Sequence, residues 1–428
     1  MLTAERLREA RWFGGKSRTI AETRVTDSAL LADDARLQLL EVRYASGVPE
    51  TYVLVDRLDD PVIARKILER FRGASVRTEG GGRLECRPTH VFDSVSPREL
   101  EPVRLMQGEQ SNTSVRFGDG LILKVFRRLQ FGPNPDVEIG WFLTEQTDFK
   151  GTPPVAGSVS YVRSDGCEAA LALLQCFERN RGDAWTTTLR RLLPVLDGGD
   201  QVESLQAIRR LAATTAELHV ALASGRDREF VGEPISGDDI EAWCAAVHEE
   251  VRATVAALDA RGIEVNEGAL RERAQGLRGL EGALKTRHHG DYHLGQVLER
   301  EDGSFAIIDF EGEPSRPLAQ RREKRSPLRD VAGMLRSFDY ARTAALRAGD
   351  ASNSERIAAA RTWYVAARQA FLAEYQSIAG REPGLLPAHV EAPLAALELE
   401  KAAYEVMYEL DNRPDWLPIP LAAFSVGS

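Results

Sequence analysis

Between positions 289 and 311 the chain carries two polar stretches, His289-Gly290-Asp291-Tyr292-His293-Leu294-Gly295-Gln296 and then Ile307-Ile308-Asp309-Phe310-Glu311. A carboxylate, an amide five residues on and a second carboxylate behind an apolar run suit phosphoryl-transfer chemistry. In such a site one acid accepts a hydrogen bond from the attacking hydroxyl, while an amide and a second acid hold Mg²⁺ through hard oxygen ligands. Asp291 then takes the catalytic position and Gln296 and Asp309 the metal, with Asp309 delivered by a buried strand over Phe305–Ile308. A His-Gly-Asp triplet by itself is equally a polar turn with a capping aspartate, so further parts are needed.

Lys124 supplies one. It lies alone inside the apolar run Leu121-Ile122-Leu123-Lys124-Val125-Phe126, where a buried ammonium requires a partner. Glu138, on a helix beginning after Asn134-Pro135-Asp136, can provide it, and a Lys–Glu pair of this kind positions nucleotide phosphates. The alternative is an edge-strand lysine facing water. The polar turn Gly108–Ser114 has a single glycine, so it is no Walker loop, although hydroxyls such as that of Ser111 could contact phosphates. His289 and His293 stand four apart, but Gly290 and the loop context argue against a helical zinc motif. A structural His289 under the loop is expected instead.

These groups need elements to hold them. A chain of 428 residues suggests two or three compact units. Its net charge of −10 argues against nucleic-acid binding and mildly favours neutral or cationic small molecules. Cys86, Cys167, Cys176 and Cys244 form no CxxC pair and read as buried free thiols. The N-terminus lacks an apolar signal core and no run is long enough to span a membrane, so a soluble cytoplasmic protein is expected.

The periodicity predicts a short helix near Thr3–Arg11, an aromatic turn at Trp12–Lys16, and strands at Leu37–Tyr44 and Glu50–Val55. Val76–Pro88 reads as a loop or hairpin. Strands follow near Val103–Met106, Val115–Phe117, Leu121–Phe126, Val155–Val162 and Ala169–Phe177. From Gly182 onward long amphipathic helices dominate, at Ser204–Leu222, Asp239–Leu258, Arg356–Ile378 and Val390–Asp411.

With these parts together the chain resembles the bacterial maltokinases and related sugar kinases, including actinobacterial glucosamine kinases, of the aminoglycoside-phosphotransferase branch of the kinase-like fold. The stretches that carry the resemblance run from RWFGGK through EQSNTSVRF, LILKVFRR, NPDVEIG, HGDYHLGQVL, IIDFEGEPSRPLAQRR and SPLRDVAGMLRSFDYA to NRPDWLPIPL. The resemblance implies an α+β, bilobal fold: an N-terminal cap subdomain over 1–95, an intermediate subdomain completing the N-lobe over 96–180, and a helical C-lobe over 181–428. It implies an ATP- and Mg²⁺-dependent sugar kinase acting as a monomer or homodimer. Lys124, Glu138, Ser111, Gln175 and Phe177 fall on the nucleotide side, and Asp291 at the catalytic position. Gln296, Asp309 and Glu311 fall at the metal. Asp330 is either the aspartate that braces the catalytic loop or an ordinary cap of the helix over Val331–Phe338.

The acceptor is read from the end of the last long helix. His293, Glu409, Asp411, Asn412 and Trp416 are the substrate candidates, with Glu405, Tyr408, Glu409 and Asn412 on one helical face and Trp416 able to stack on a sugar. Maltokinases resemble this segment but tend to lack the acid at Asp411, and a carboxylate there suits a protonated amine. D-glucosamine is therefore the expected acceptor, with maltose as the alternative. A solvent-facing Asp411 offset by Arg413 is the bland reading, since a helix C-terminus disfavours an anion. A silent sugar-sensing kinase fold would have lost Lys124, Asp291, Gln296 or Asp309, and all four are present.

Overall fold

The computed structural model describes residues 4–10, 12–73, 75–106 and 112–424. It divides into two compact units, Met1–Gln146 with Pro153–Arg179 and Thr147–Thr152 with Asn180–Ser428.

The first unit opens with α1 (Ala4–Glu9), β1 (Ile20–Ala32), β2 (Ala35–Tyr44), β3 (Glu50–Val55) and α2 (Pro61–Glu69). Strand β2 buries both faces with period two. Leu37 and Leu39 point to a core shared with Val53, Ile63 and Phe71, whereas Leu40, Val42 and Tyr44 pack on Phe13 and Tyr52. Gly15, in the aromatic turn, lies against the Tyr44 ring with no room for a Cβ, so that turn serves packing. The sequence did not reveal β1, because three register shifts against β2 break its alternation.

There follow β4 (Val76–Arg77), β5 (Arg83–Pro88), β6 (Val103–Leu105), β7 (Asn112–Phe117), β8 (Leu121–Phe126), β9 (Arg128–Leu129), α3 (Pro135–Gln146), β10 (Val155–Val162) and β11 (Glu168–Cys176). They form sheets of order β1-β2-β3-β9 and β4-β5-β10-β11-β8-β7-β6. The division expected near residue 95 therefore does not separate the sheets. The 76–88 segment is a hairpin whose β5 pairs with β10, and β9 joins β3. A two-stranded hairpin is marginal alone, and the long β10 supplies its partner. Phe117, Leu123 and Leu171 of the second sheet share the core of β2 and β3.

The second unit contains β12 (Asn180–Asp183), α4 (Ala184–Leu196), α5 (Val202–Ala223), β13 (Glu233–Pro234), α6 (Gly237–Asp259), α7 (Glu267–Ala274), β14 (Leu284–Lys285), β15 (Val297–Arg300) and β16 (Phe305–Ile307). After these come α8 (Leu318–Arg321), α9 (Leu328–Arg347), α10 (Ser354–Ala379), α11 (Glu391–Asn412) and α12 (Pro418–Ala422). The four long helices expected from periodicity all form. Helix α10 packs on α5 and α9, and α11 packs on α9 and α6. Phe338 meets Trp363 and Phe371 edge-on, and the Trp363 indole donates to Ser204 Oγ at 2.8 Å, satisfying its buried N–H.

The four cysteines are free, as expected, but only Cys244 is buried, while Cys167 is exposed in a turn between strands. Among the described residues no helix is long and apolar enough to cross a membrane.

Candidate active site

The segment linking β14 to β15 carries His289 to Gln296, and the segment leaving β16 carries Asp309 to Gly312. The two run against each other at glycines. Gly290 and Gly312 both have left-handed φ, +85° and +70°, and a Cβ on Gly290 would stand 3.3 Å from Gly312 Cα. Only glycine fits this approach without strain. His289 fastens the contact. Its Nδ1 accepts from the Asp291 amide at 3.3 Å and its Nε2 meets the Ile308 carbonyl at 2.9 Å, a pattern that places the ring proton on Nε2. The ring packs on Tyr292 and Phe310, so His289 has the structural role expected of it.

Asp330 resolves its two readings in favour of the brace. It lies in the first turn of α9, whose cap position is Pro327 with no side-chain cap bond. Its Oδ2 accepts from the His289 amide at 2.7 Å and its Oδ1 from the Gly290 amide at 2.9 Å, while His219 of α5 approaches Oδ2 at 3.2 Å. Burial pushes this carboxyl up, but the His219 hydrogen bond and the neighbouring histidines outweigh that and hold it well below the ordinary range. A single ionised side chain thus fixes the backbone immediately before Asp291.

Asp291 itself is held from α11. Lys401 Nζ lies 3.1 Å from Asp291 Oδ1 and 2.9 Å from Glu313 Oε1. Glu313 also accepts from Arg316 and lies near Arg329. Sequence reasoning missed Lys401 and Glu313. The available signal was a lysine among the glutamates of a long helix, which names no partner.

The expected metal-binding residues lie together. Gln296 Nε2 is 3.0 Å from Asp309 Oδ2, and Gln296 also receives the Ile308 amide on its own carbonyl at 3.0 Å. Asp309 adopts φ +68°, a region unfavourable to a non-glycine residue, and such strain is retained where a side chain must be aimed. Glu311 follows on the same segment, its carbonyl accepting from Arg321 at 3.2 Å. Amide oxygen and nitrogen are interchangeable by a half-turn of the Gln296 side chain. The set therefore offers hard oxygen donors from Gln296, Asp309 and Glu311, the chemistry that fits Mg²⁺.

The acceptor candidates are distributed differently. His293 uses Nδ1 to accept from the Gly295 amide at 3.0 Å, so one nitrogen serves the loop. Glu409 is buried, and its oxygens take Tyr340 OH at 2.9 Å and a two-pronged contact from Arg413. Asn412 donates to the Tyr408 carbonyl at 2.9 Å. Trp416 stacks on Tyr340, with Arg347 and Arg413 close over its ring, so sugar stacking there has three protein groups to compete with. Asp411 is exposed on the last turn of α11. Arg413 does not offset it; that guanidinium belongs to Glu409.

In the first unit, Lys124 of β8 pairs with Asp136 Oδ2 at 2.9 Å. Asn134 Oδ1 accepts from the Asp136 and Val137 amides, capping α3 and aligning its first turn, which also carries Glu138. The sequence pointed to Glu138 as the partner of Lys124; the pair seen here is with Asp136, two residues earlier in the same turn, which was not singled out. Gln175 closes β11 opposite Val155, and the Phe177 amide donates to the Gly120 carbonyl at 2.9 Å beneath Arg116. Ser111 lies outside the described residues.

No protein-family profile matches the chain. In sequence it is similar to the glucosamine kinase of Mycolicibacterium smegmatis, 28% identical over 326 residues that span 74% of this chain and 77% of that protein. It is also similar to the glucosamine kinase of Streptacidiphilus jiangxiensis, 31% identical over 224 residues, 51% of this chain and 48% of that protein. In fold it matches a glucosamine kinase solved in complex with glucosamine, ADP and inorganic phosphate. The TM-score is 0.71 at 21% identity, covering 94% of this chain and 93% of the other. The α+β kinase-like fold expected from the sequence is the fold of this chain.

Proposed function

We propose that this chain, a relative of the glucosamine kinases, is an ATP-dependent sugar kinase that phosphorylates D-glucosamine on its 6-hydroxyl. The observation that carries the reading is the arrangement around Asp291. The backbone just before it is tied down by Asp330, its Oδ1 by Lys401, and Gln296 further along its segment meets Asp309 of the adjoining one.

Phosphoryl transfer asks a protein mainly to position groups and neutralise charge. With Oδ1 gripped by Lys401, Asp291 presents Oδ2 to accept the hydrogen bond of the acceptor hydroxyl and take its proton as the new P–O bond forms and the bond from the γ-phosphorus to the bridging oxygen breaks, releasing ADP. Lys124, itself held by Asp136, would meet the nucleotide phosphates. Gln296 and Asp309, with Glu311, would hold Mg²⁺, which when bound offsets charge on the phosphate oxygens. A cytoplasmic setting, where ATP is supplied, belongs to the same proposal.

The choice of an amino sugar is supported by the named activity of the relatives. Asp411 stands ten residues beyond Lys401 on α11, about 15 Å further along its axis, too far from Asp291 for one monosaccharide to meet both.

Coupled ADP release measured with D-glucosamine and with maltose side by side tests the reading. Turnover with glucosamine well above that with maltose is expected. Turnover of maltose alone would reject the amino-sugar assignment.

A further inference from the structure

Beside the catalytic segment, within the second unit, lies a cavity of about 140 Å³. Its mouth is formed by the exposed Gln320 and Glu323, and its inner wall by His288 and the paired glycines Gly290 and Gly312. His288 is only 5% exposed, and among the described residues neither of its ring nitrogens has a hydrogen-bond partner. Burial pushes its pKa down to about 3, so the ring is neutral and carries one N–H donor and one acceptor. A buried polar group with both sites unmet by protein is rare and calls for a partner, a water or an ion, in the cavity it faces.

The rest of the wall is rich in arginine, each of these side chains already holding a protein partner. Four guanidinium groups, Arg316, Arg321, Arg325 and Arg329, line the cavity, against the carboxylates Glu313 and Glu323. Glu313 is already paired with Lys401 and Arg316, and Glu323 is exposed at the mouth. Glu250 and Glu400, which neutralise part of the arginine charge, stand outside the lining. Burial pulls the Arg325 guanidinium below its ordinary value despite Glu400, whereas the carboxylates around Arg316 and Arg329 hold those two above theirs.

We infer that this cavity is a second ligand site, one that takes a phosphate-sized oxyanion between the arginines and His288. Guanidinium groups match the geometry of phosphate oxygens, and His288 adds a neutral donor. The volume decides the size class: whole cofactors occupy roughly 300–1,000 Å³, so 140 Å³ admits a phosphate group and not a nucleotide. The cavity lies apart from the helix end that carries Asn412, though it borders the catalytic segment at Gly290. Arg325 and Arg329 meet α11 at Glu400, and Asn412 lies twelve residues further on, about 18 Å along the helix axis. Because Gly290 and Gly312 form part of its wall, an anion here would bridge the segments that carry Asp291 and Asp309.

Calorimetric titration of the nucleotide-free protein with inorganic phosphate, and separately with glucosamine 6-phosphate, tests the inference. Saturable phosphate binding is expected. Gln320→Glu, an exposed change that adds a negative charge at the mouth, should weaken it on the order of tenfold, and Arg325→Gln should weaken it at least as much. If glucosamine 6-phosphate binds more tightly and is weakened by the same substitutions, the phosphorylated product is the source of the group; if it does not, free phosphate is. No saturable phosphate binding, or binding that Gln320→Glu leaves unchanged in a folded protein, would overturn the site.

Discussion

Lys401 Nζ stands 3.1 Å from Asp291 Oδ1, a contact made across 110 positions of sequence, and the same ammonium is 2.9 Å from Glu313 Oε1. Burial works against this charge, yet the two carboxylates hold the lysine above its ordinary pKa. Burial likewise pushes Glu313 up, but Lys401, Arg329 and Arg316 outweigh it and hold the acid well below the ordinary range. A raised lysine contributes fully below its unfolded value and loses that contribution as pH rises through the folded one. A depressed glutamate contributes above its unfolded value and loses it as pH falls. The cluster is therefore at full strength between roughly pH 5 and 10.

Lys401→Met should lower kcat by about 10–100-fold, less than loss of a general base outright, while leaving the KM for ATP unchanged. Glu313 retains two arginines, so the stability loss should be near 1–3 kcal/mol. Lys401→Arg, which keeps the charge, should recover part of kcat. Equal kcat in wild type and Lys401→Met, measured at saturating substrates, would remove Lys401 from the account.

Asp330→Asn keeps the side-chain shape and removes the charge that receives the His289 and Gly290 amides. Hydrogen bonds to a charged group are worth about 1.5–3 kcal/mol each, and denaturant unfolding should show a loss of that order. The wild-type carboxyl is depressed, so its contribution is present above about pH 4 and disappears as pH falls. The variant should lack that acid-dependent component. Equal stability of the two proteins above pH 4, with the same slope as pH falls below it, would show that Asp330 does not brace the loop as an anion.

Gln296→Ala removes one of the two hard-ligand side chains that lie 3.0 Å apart. The Mg²⁺ concentration for half-maximal activity should rise by at least the ~10–100-fold that even outer-shell partners are worth. An unchanged Mg²⁺ dependence would place the metal elsewhere.

The legible part of the site was the part contiguous in sequence. Asp291, Gln296 and Asp309 declare themselves because a short loop and one strand carry all three, and the apolar run before Asp309 is indeed β16. Lys401, Glu313 and Asp136 were not legible, since an ion pair leaves no trace until the fold chooses among several reachable partners. The same holds at the end of α11. Helical spacing placed Glu409 on a polar face, but it could not foresee that Tyr340 and Arg413 would consume its oxygens. In the fold, the long helices were plain from their period, whereas β1 was hidden by its bulges and the 76–88 hairpin could be assigned to a sheet only once β10 was in place.

The most direct test follows ATP and D-glucosamine by ³¹P NMR with wild-type protein and with Asp291→Asn. The account predicts stoichiometric conversion of ATP to ADP and a new phosphomonoester coupled to the C6 protons of glucosamine, with Asp291→Asn slower by about 10²–10⁴-fold and still able to bind nucleotide. A phosphomonoester that forms only when maltose replaces glucosamine, or one that forms equally fast in the Asp291→Asn variant, would contradict it.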